Sequence, residues 1–327
     1  MLARILNRDL ANYLVIGGRQ LGKSSFLKKI ERYYENNTKV QCYYLTLFGN
    51  NLLDILKKEL GLAEKVSQST VLEKLGNVEF GKSRLLLIDE ADQFIRDEMA
   101  NNFPLLSFFR GLSELGNCHF IFVGFWDLYD AAINYQSPIR NFGQSIQIGK
   151  LEADACKKLA TEPMKILDIY YQSEDLVEQI LIATGQRANL IAITCNEMLG
   201  KLKNDQNVLK QENVTDGLQC ETMEIALSGW TKLTDDDEAS RLDRIIIYVT
   251  VKKGKFNKKS LIKFFNKHNY TCCVPELEKS LKRLELAYII QRDNKGIYTY
   301  CVPLFRKQLL EEDLITLLKQ EMGNQVR

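Results

Sequence analysis

Several absences narrow the class of this chain before any motif is read. No apolar run approaches the roughly 20 residues that a membrane-spanning helix needs, so no membrane partner is expected. The opening stretch MLARILNRDLANYLVIGG is interrupted by Arg8 and Asp9, which argues against a secretory signal. Eight cysteines stand at 42, 118, 156, 195, 220, 272, 273 and 301, without the two-residue spacing of zinc or redox pairs, and they read as reduced cytoplasmic thiols. There is no internal repeat and no low-complexity segment. What is present is 45% apolar content over 327 residues, ample for a buried core and for two or three domains.

A net charge of +2 conceals an uneven distribution. Residues 241–327 carry 18 Lys+Arg against 9 Asp+Glu, while residues 1–240 carry 26 against 33. Between Arg241 and Pro275 nine basic residues face the single acid Asp243. Such a block is either a solvated face or a surface for an anionic partner.

The hydrophobic pattern alternates between two periods. NYLVI (12–16) is a short buried strand that stops at glycines, KSSFLKKIERYY has helical spacing, and VQCYYLTL reads as the next strand. RLLLID, then CHFIFVGF behind a helix around Phe103 to Leu115, then SIQIG complete the set, so an α/β domain with a parallel sheet between helices is predicted over 1–150. From Leu151 the texture becomes helical: EADACKKLATEPM, SEDLVEQILIATG and ANLIAITCNEML predict a helical domain over 151–233. TKLTDDDE is a polar linker whose aspartates suit a helix N-terminus. Residues 234–327 then read as three helices, LDRIIIYVTVKK, KKSLIKFFNKH and PELEKSLKRLEL, followed by a hairpin of YIIQR and IYTYCV, which is the winged-helix order.

GGRQLGKS, from Gly17 to Ser24, fits G-x-x-x-x-G-K-[ST] between a predicted strand and a predicted helix. Gly17, Gly18, Arg19, Gln20, Leu21 and Gly22 form a loop whose backbone N–H groups turn toward a phosphate, and the following helix aims its positive end at the same anion. Lys23 supplies a cation for the β- and γ-phosphates of ATP. Ser24 offers a hydroxyl to Mg2+, and Ser25 is next in line if the register shifts by one. The strand LLLIDE ends on Asp89, a carboxylate able to hold the metal through water, and on Glu90, which is placed to polarise the attacking water. The letters DEAD at Asp89 to Asp92 suggest an RNA helicase, but the other helicase motifs and a second sheet domain are not apparent in the sequence.

GGRQLGKSSFL, LLLIDEAD, SPIRNFGQSIQIGKLE and the helical segment that follows resemble an AAA+ ATPase, and more narrowly the STAND and archaeal-type ATPases together with the origin-recognition group. The resemblance implies an ATP/ADP-binding, Mg2+-dependent ATPase core, a helical lid and a C-terminal winged helix. It implies that Arg140, just before the last strand, is an arginine finger toward a neighbouring subunit, which makes a homo-oligomer a candidate state. Arg187 corresponds to the second sensor arginine, one residue early for the usual G-x-x-R spacing. Arg110 either faces a neighbour or lies exposed on its helix. Two departures stand out. CHFIFVGF ends in glycine and phenylalanine where a polar sensor is usual, leaving Asp127 as the nearest substitute. Only eleven residues precede Asn12, so either the lid holds the base or the chain is a shortened form. Slow turnover, suited to a switch, is expected.

In a DNA-binding winged helix the third helix enters the major groove, and here it carries Lys279, Lys282 and Arg283. The wing tip adds Arg292 and Lys295, and the densest block, including Lys258 and Lys259, suits phosphates without base readout. His268 at a helix end reads as a cap, and His119 as structural. Three readings stay open: an ATP-driven switch, an ATP-dependent DNA-binding assembly factor, and an ADP-locked scaffold that recognises a protein partner.

Overall fold

The computed structural model describes residues 5–6, 10–134, 136–203 and 206–323, so Arg8, Asp9 and the outermost predicted domain limits at 1 and 327 lie outside them. The chain divides into two compact units, one of residues 1–18 and 22–148, the other of residues 19–21 and 149–327. Among the described residues no helix is long and apolar enough to cross a membrane.

The first unit is built on five parallel strands, β1 (Tyr13–Ile16), β2 (Val40–Thr46), β3 (Ser83–Asp89), β4 (Cys118–Gly124) and β5 (Gln144–Gln147), in the order β2-β3-β4-β1-β5. Helices α1 (Lys23–Tyr34), α2 (Leu52–Glu59), α3 (Gln68–Gly76), α4 (Asp92–Ala100), α5 (Pro104–Glu114) and α6 (Trp126–Ile133) lie between them in sequence. Parallel strands need crossovers, and their buried runs follow from coverage on both faces. The period of two sorts the side chains. Tyr13, Val15, Leu85, Leu87, Ile121 and Val123 pack with Leu27 and Ile30 of α1. The alternate positions Phe120 and Phe122 build the opposite core: Phe109 stacks on Phe120 with ring centroids 4.7 Å apart, and Phe94 on Phe122 at 6.0 Å. Asn12, just ahead of β1, holds three pieces together. Its amide donates to Phe142 O (2.9 Å) and Ser113 Oγ (2.7 Å), and its Oδ1 accepts from Phe120 N (2.9 Å).

In the second unit α7 (Ala153–Ile166), α8 (Glu174–Ala183), α9 (Ala188–Lys201), α10 (Gln211–Leu218) and α11 (Glu221–Ser228) enclose a core of Cys156, Ala160, Met164, Ile180, Ile191 and Met198. Strands β6 (Tyr170–Tyr171) and β7 (Val208–Leu209) pair beside it. Asp236 then caps α12 (Asp237–Thr250), accepting from Ala239 N at 3.0 Å, the role expected of the aspartate run. There follow β8 (Lys255–Asn257), α13 (Lys258–Lys267), α14 (Val274–Leu286), β9 (Ile290–Arg292), β10 (Ile297–Tyr300), α15 (Pro303–Glu311) and α16 (Leu314–Met322). The predicted two-stranded hairpin is a three-stranded antiparallel sheet, β8-β10-β9. The three residues of β8 are too few to show a period, and their pairing with β10 is about 40 residues away in sequence. Two terminal helices follow it. Leu304 packs on the helical core, and Trp230 packs against Tyr248 and Phe305 at 5.7 and 5.6 Å.

Candidate functional site

The predicted phosphate loop lies where β1 ends and α1 begins. Gly17 N donates to Gly124 O at 3.2 Å, anchoring the loop to the end of β4. A Cβ at Gly17 would lie 2.7 Å from Ile148 O, so only glycine admits this approach. Gly22 has φ +89°, and a Cβ placed there would meet nothing within 4 Å, so this residue turns the chain into α1 while leaving its inner side open. Lys23 is buried and its amine donates to Gly18 O at 2.7 Å. Ser24 and Ser25 lie in the first turn of α1, and both are exposed.

The alternation in β3 carries Leu85, Leu87 and then Asp89 to the face that α1 covers. Asp89 is 2% exposed, and its Oδ1 accepts from Glu90 N at 3.0 Å. Strand β4 separates β1 from β3, so the acid stands two strands from the loop. Glu90 is exposed, with φ +56°, a left-handed backbone that costs a non-glycine residue about 1–3 kcal/mol.

Two neighbours of this site went unread in the sequence. Tyr44 of β2 donates its hydroxyl to Asp89 Oδ2 at 2.8 Å. Burial, helped by the hydrogen bond to Asp89, pushes this hydroxyl up to about 12. Its only sequence signal was period-two spacing along β2. Asp92, the last letter of DEAD, accepts from the backbone N–H of Phe125 (2.7 Å), Asp127 (3.0 Å) and Leu128 (3.2 Å), capping α6 and tying the end of β3 to the end of β4. Burial raises its carboxyl above the usual range, opposed by those N–H groups and by the charge of Lys23. A Cβ on Gly124 would fall 2.9 Å from Asp92 Oδ2, so the glycine that ends CHFIFVG makes room for this carboxylate.

Other predicted residues are placed as follows. Asp127 pairs with Arg96 at 3.0 Å. Arg110 is exposed and pairs with Glu114 one turn on, at 3.0 Å. Arg140 lies in a 3-10 turn, Pro138–Asn141, just ahead of β5. His119 is a strand residue whose imidazole is lowered by burial, and His268 ends α13 against Phe264. In the second unit, which includes the loop tip Arg19–Leu21, Arg187 Nη2 donates to Arg19 O at 3.3 Å and Asn189 Nδ2 to Gln20 Oε1 at 2.6 Å. Arg187 Nε and Asn189 Oδ1 are buried without a hydrogen-bond partner, and burial lowers the Arg187 guanidinium.

No family model and no curated protein matches the sequence. Solved structures do. The Walker-type ATPase of Pyrococcus abyssi superposes with a TM-score of 0.64 at 16% identity, covering 94% of this chain and 93% of its own. The ORC2 protein of Aeropyrum pernix, determined with ADPNP and ADP, gives 0.64 at 14% identity over 98% and 93%. Cdc6p from Pyrobaculum aerophilum gives 0.50 at 15% over 98% and 92%. The chain has the AAA+ fold. Its AAA+ core is the five-stranded parallel sheet with the loop at Gly17–Ser24 and the acids at the end of β3.

The residues present suit a magnesium nucleotide. A buried cation at Lys23, an open glycine-walled turn at Gly22 and hard oxygen donors at Ser24 and Asp89 are the set that a phosphate-bridged Mg2+ requires. Among the described residues no group of three His, Cys, Asp or Glu could hold a metal ion.

One predicted partner residue is corrected. Arg283 is not on a groove-facing surface: it is 2% exposed, its Nε donates to Asp243 Oδ2 at 2.6 Å and its Nη2 to Asp243 Oδ1 at 2.8 Å. The adjacent Lys282 pairs with Glu285 at 3.7 Å, and Lys258 with Glu278 at 2.6 Å. Helix α14 thus presents little positive charge to solvent, with Lys279 as its exposed base. The exposed cations cluster instead at Lys252, Lys253, Lys255, Lys259, Lys263 and Lys267.

Proposed function

We propose that this chain is a Mg2+-dependent ATP-binding and ATP-hydrolysing switch of the AAA+/STAND type, acting in the cytoplasm, with a nucleotide domain (1–150), a helical lid (151–233) and a winged helix (234–327). The observation that carries the reading is a glycine loop with buried Lys23 after β1, and buried Asp89 and left-handed Glu90 at the end of β3, all at the C-terminal ends of strands of one parallel sheet. The loop N–H groups and Lys23 hold the phosphates. Ser24 and Asp89 hold Mg2+, which when bound neutralises charge on the β- and γ-oxygens. Glu90, exposed at the strand end, accepts a proton from the attacking water. Arg140 is assigned to a neighbouring subunit's nucleotide in a homo-oligomer, and Arg187 to the γ-phosphate.

Glu90→Gln keeps the length and hydrogen-bonding reach of the side chain and removes its basicity. ATP affinity should stay within about twofold while turnover falls about 10²–10⁴-fold. Calorimetry together with a phosphate-release assay reads both, and steady release by the variant would remove Glu90 from the mechanism. ADP that copurifies with a protein showing no turnover would favour the scaffold reading, in which the partner is a protein.

A second reading, duplex DNA binding through the C-terminal region, is supported by the exposed lysines. Lys259, Lys263 and Lys267 repeat every four residues along α13, about 6 Å apart on one face. With Arg283 buried, this stripe and not α14 is the phosphate-contacting face. Replacing all three with Glu should weaken duplex binding and reduce the slope of log K against log salt by about 3. Fluorescence anisotropy of a labelled duplex at stepped salt measures this, and an unchanged slope would discard the surface.

A further inference from the structure

We propose that Tyr44 is a positioning residue of the metal site, fixing the orientation of the Asp89 carboxylate through its hydroxyl. The inference rests on the reading of Gly17–Ser24 as a Mg2+-nucleotide site. Tyr44 pairs with Leu87 across the β2/β3 ladder, and Thr46 with Asp89, so Tyr44 shares the face of Asp89 and leans along it. Its ring packs among the apolar side chains under α1, which fixes the direction of the hydroxyl. The hydroxyl donates to Asp89 Oδ2 at 2.8 Å, and the backbone N–H of Glu90 donates to Oδ1 at 3.0 Å.

Each oxygen of a carboxylate offers two acceptor sites. One donor on each oxygen therefore sets the plane and rotamer of Asp89 and leaves the second site of each for a metal or a metal-bound water. A carboxylate that is 2% exposed needs such donors in any case, and without the phenol Oδ2 would be an unpaired buried acceptor. With few protein ligands available, the orientation of each weighs heavily on affinity for the ion, as outer-sphere partners do at metal sites in general.

The test uses the full chain, ADP as the probe and isothermal titration calorimetry in excess Mg2+ and in excess EDTA. Tyr44→Phe removes one oxygen and keeps the ring. Its affinity for ADP in EDTA should match the parent within about twofold, while the gain on adding Mg2+ should fall about 10-fold. Tyr43→Phe, at the neighbouring β2 position that pairs with Leu86 and so faces the other side of the sheet, should retain the full gain. A Tyr44→Phe protein with the full Mg2+ gain overturns the role of Tyr44 and leaves the nucleotide site standing. Equal losses in Mg2+ and in EDTA overturn it as well, because they report a general disturbance of the loop. If the parent protein binds no ADP in either condition, the nucleotide reading fails and the role of Tyr44 with it.

Discussion

Lys23→Ala should lower ATP affinity by about 10–150-fold, the range expected for losing one hydrogen bond to a charged group. The lysine is buried in the first turn of α1, and its amine rests on Gly18 O at 2.7 Å, an acceptor supplied by the loop itself. A triphosphate is a far stronger acceptor than a carbonyl, so the amine is expected to exchange Gly18 O for it. Folding should tolerate the change. Asp92, whose carboxyl feels the charge of Lys23, retains its backbone donors from Phe125, Asp127 and Leu128 and is not left unpaired. The expected result is a loss of calorimetric heat with MgATP and an unchanged melting midpoint without nucleotide. Full heat of binding in Lys23→Ala would sink the assignment of the loop.

Asp243→Ala should destabilise the second unit by about 3–5 kcal/mol, because it leaves a buried guanidinium without its counter-ion. Asp243 and Arg283 are 1% and 2% exposed, joined by two nitrogen-to-oxygen bonds of 2.6 and 2.8 Å, and Ser280 donates a further short hydrogen bond to Asp243. Arg283 also donates to Ala239 O at 3.1 Å, so the cluster clamps α14 onto α12. Thermal denaturation followed by circular dichroism should show the midpoint falling by about 6–20 °C. Arg283→Ala should fall comparably, whereas Lys259→Ala, on the exposed face of α13, should change stability by less than about 0.5 kcal/mol. A stable Arg283→Ala protein with reduced duplex affinity would restore the groove-facing reading of that residue.

The elements that local chemistry dictates were legible in the sequence. The strand at Tyr13–Ile16, the helix from Lys23, the strand ending on Asp89 and the cap at Asp236 each announce themselves through a run, a period or a capping side chain within a few residues. In the second unit α7, α8, α9, α12, α13 and α14 were legible for the same reason, with ends differing by a few residues where caps decide, whereas α10, α11, α15 and α16 were not read. Period two even contained the grouping of Leu85, Leu87 and Asp89 on one face, but nothing in it says which face α1 covers.

What the sequence determined by itself was therefore the position of the proposed phosphate loop with its lysine and serine and of the two strand-end acids, because each of these two groups is made by consecutive residues. Only the tertiary structure decided the rest. Tyr44 meets Asp89 across 45 residues, Asp92 reaches the end of β4 across 33, and Arg283 is drawn inward by an aspartate 40 residues away. A charged or phenolic side chain is read as solvent-facing until a distant partner offsets the cost of its burial, and that partner becomes visible only when strands and helices have packed.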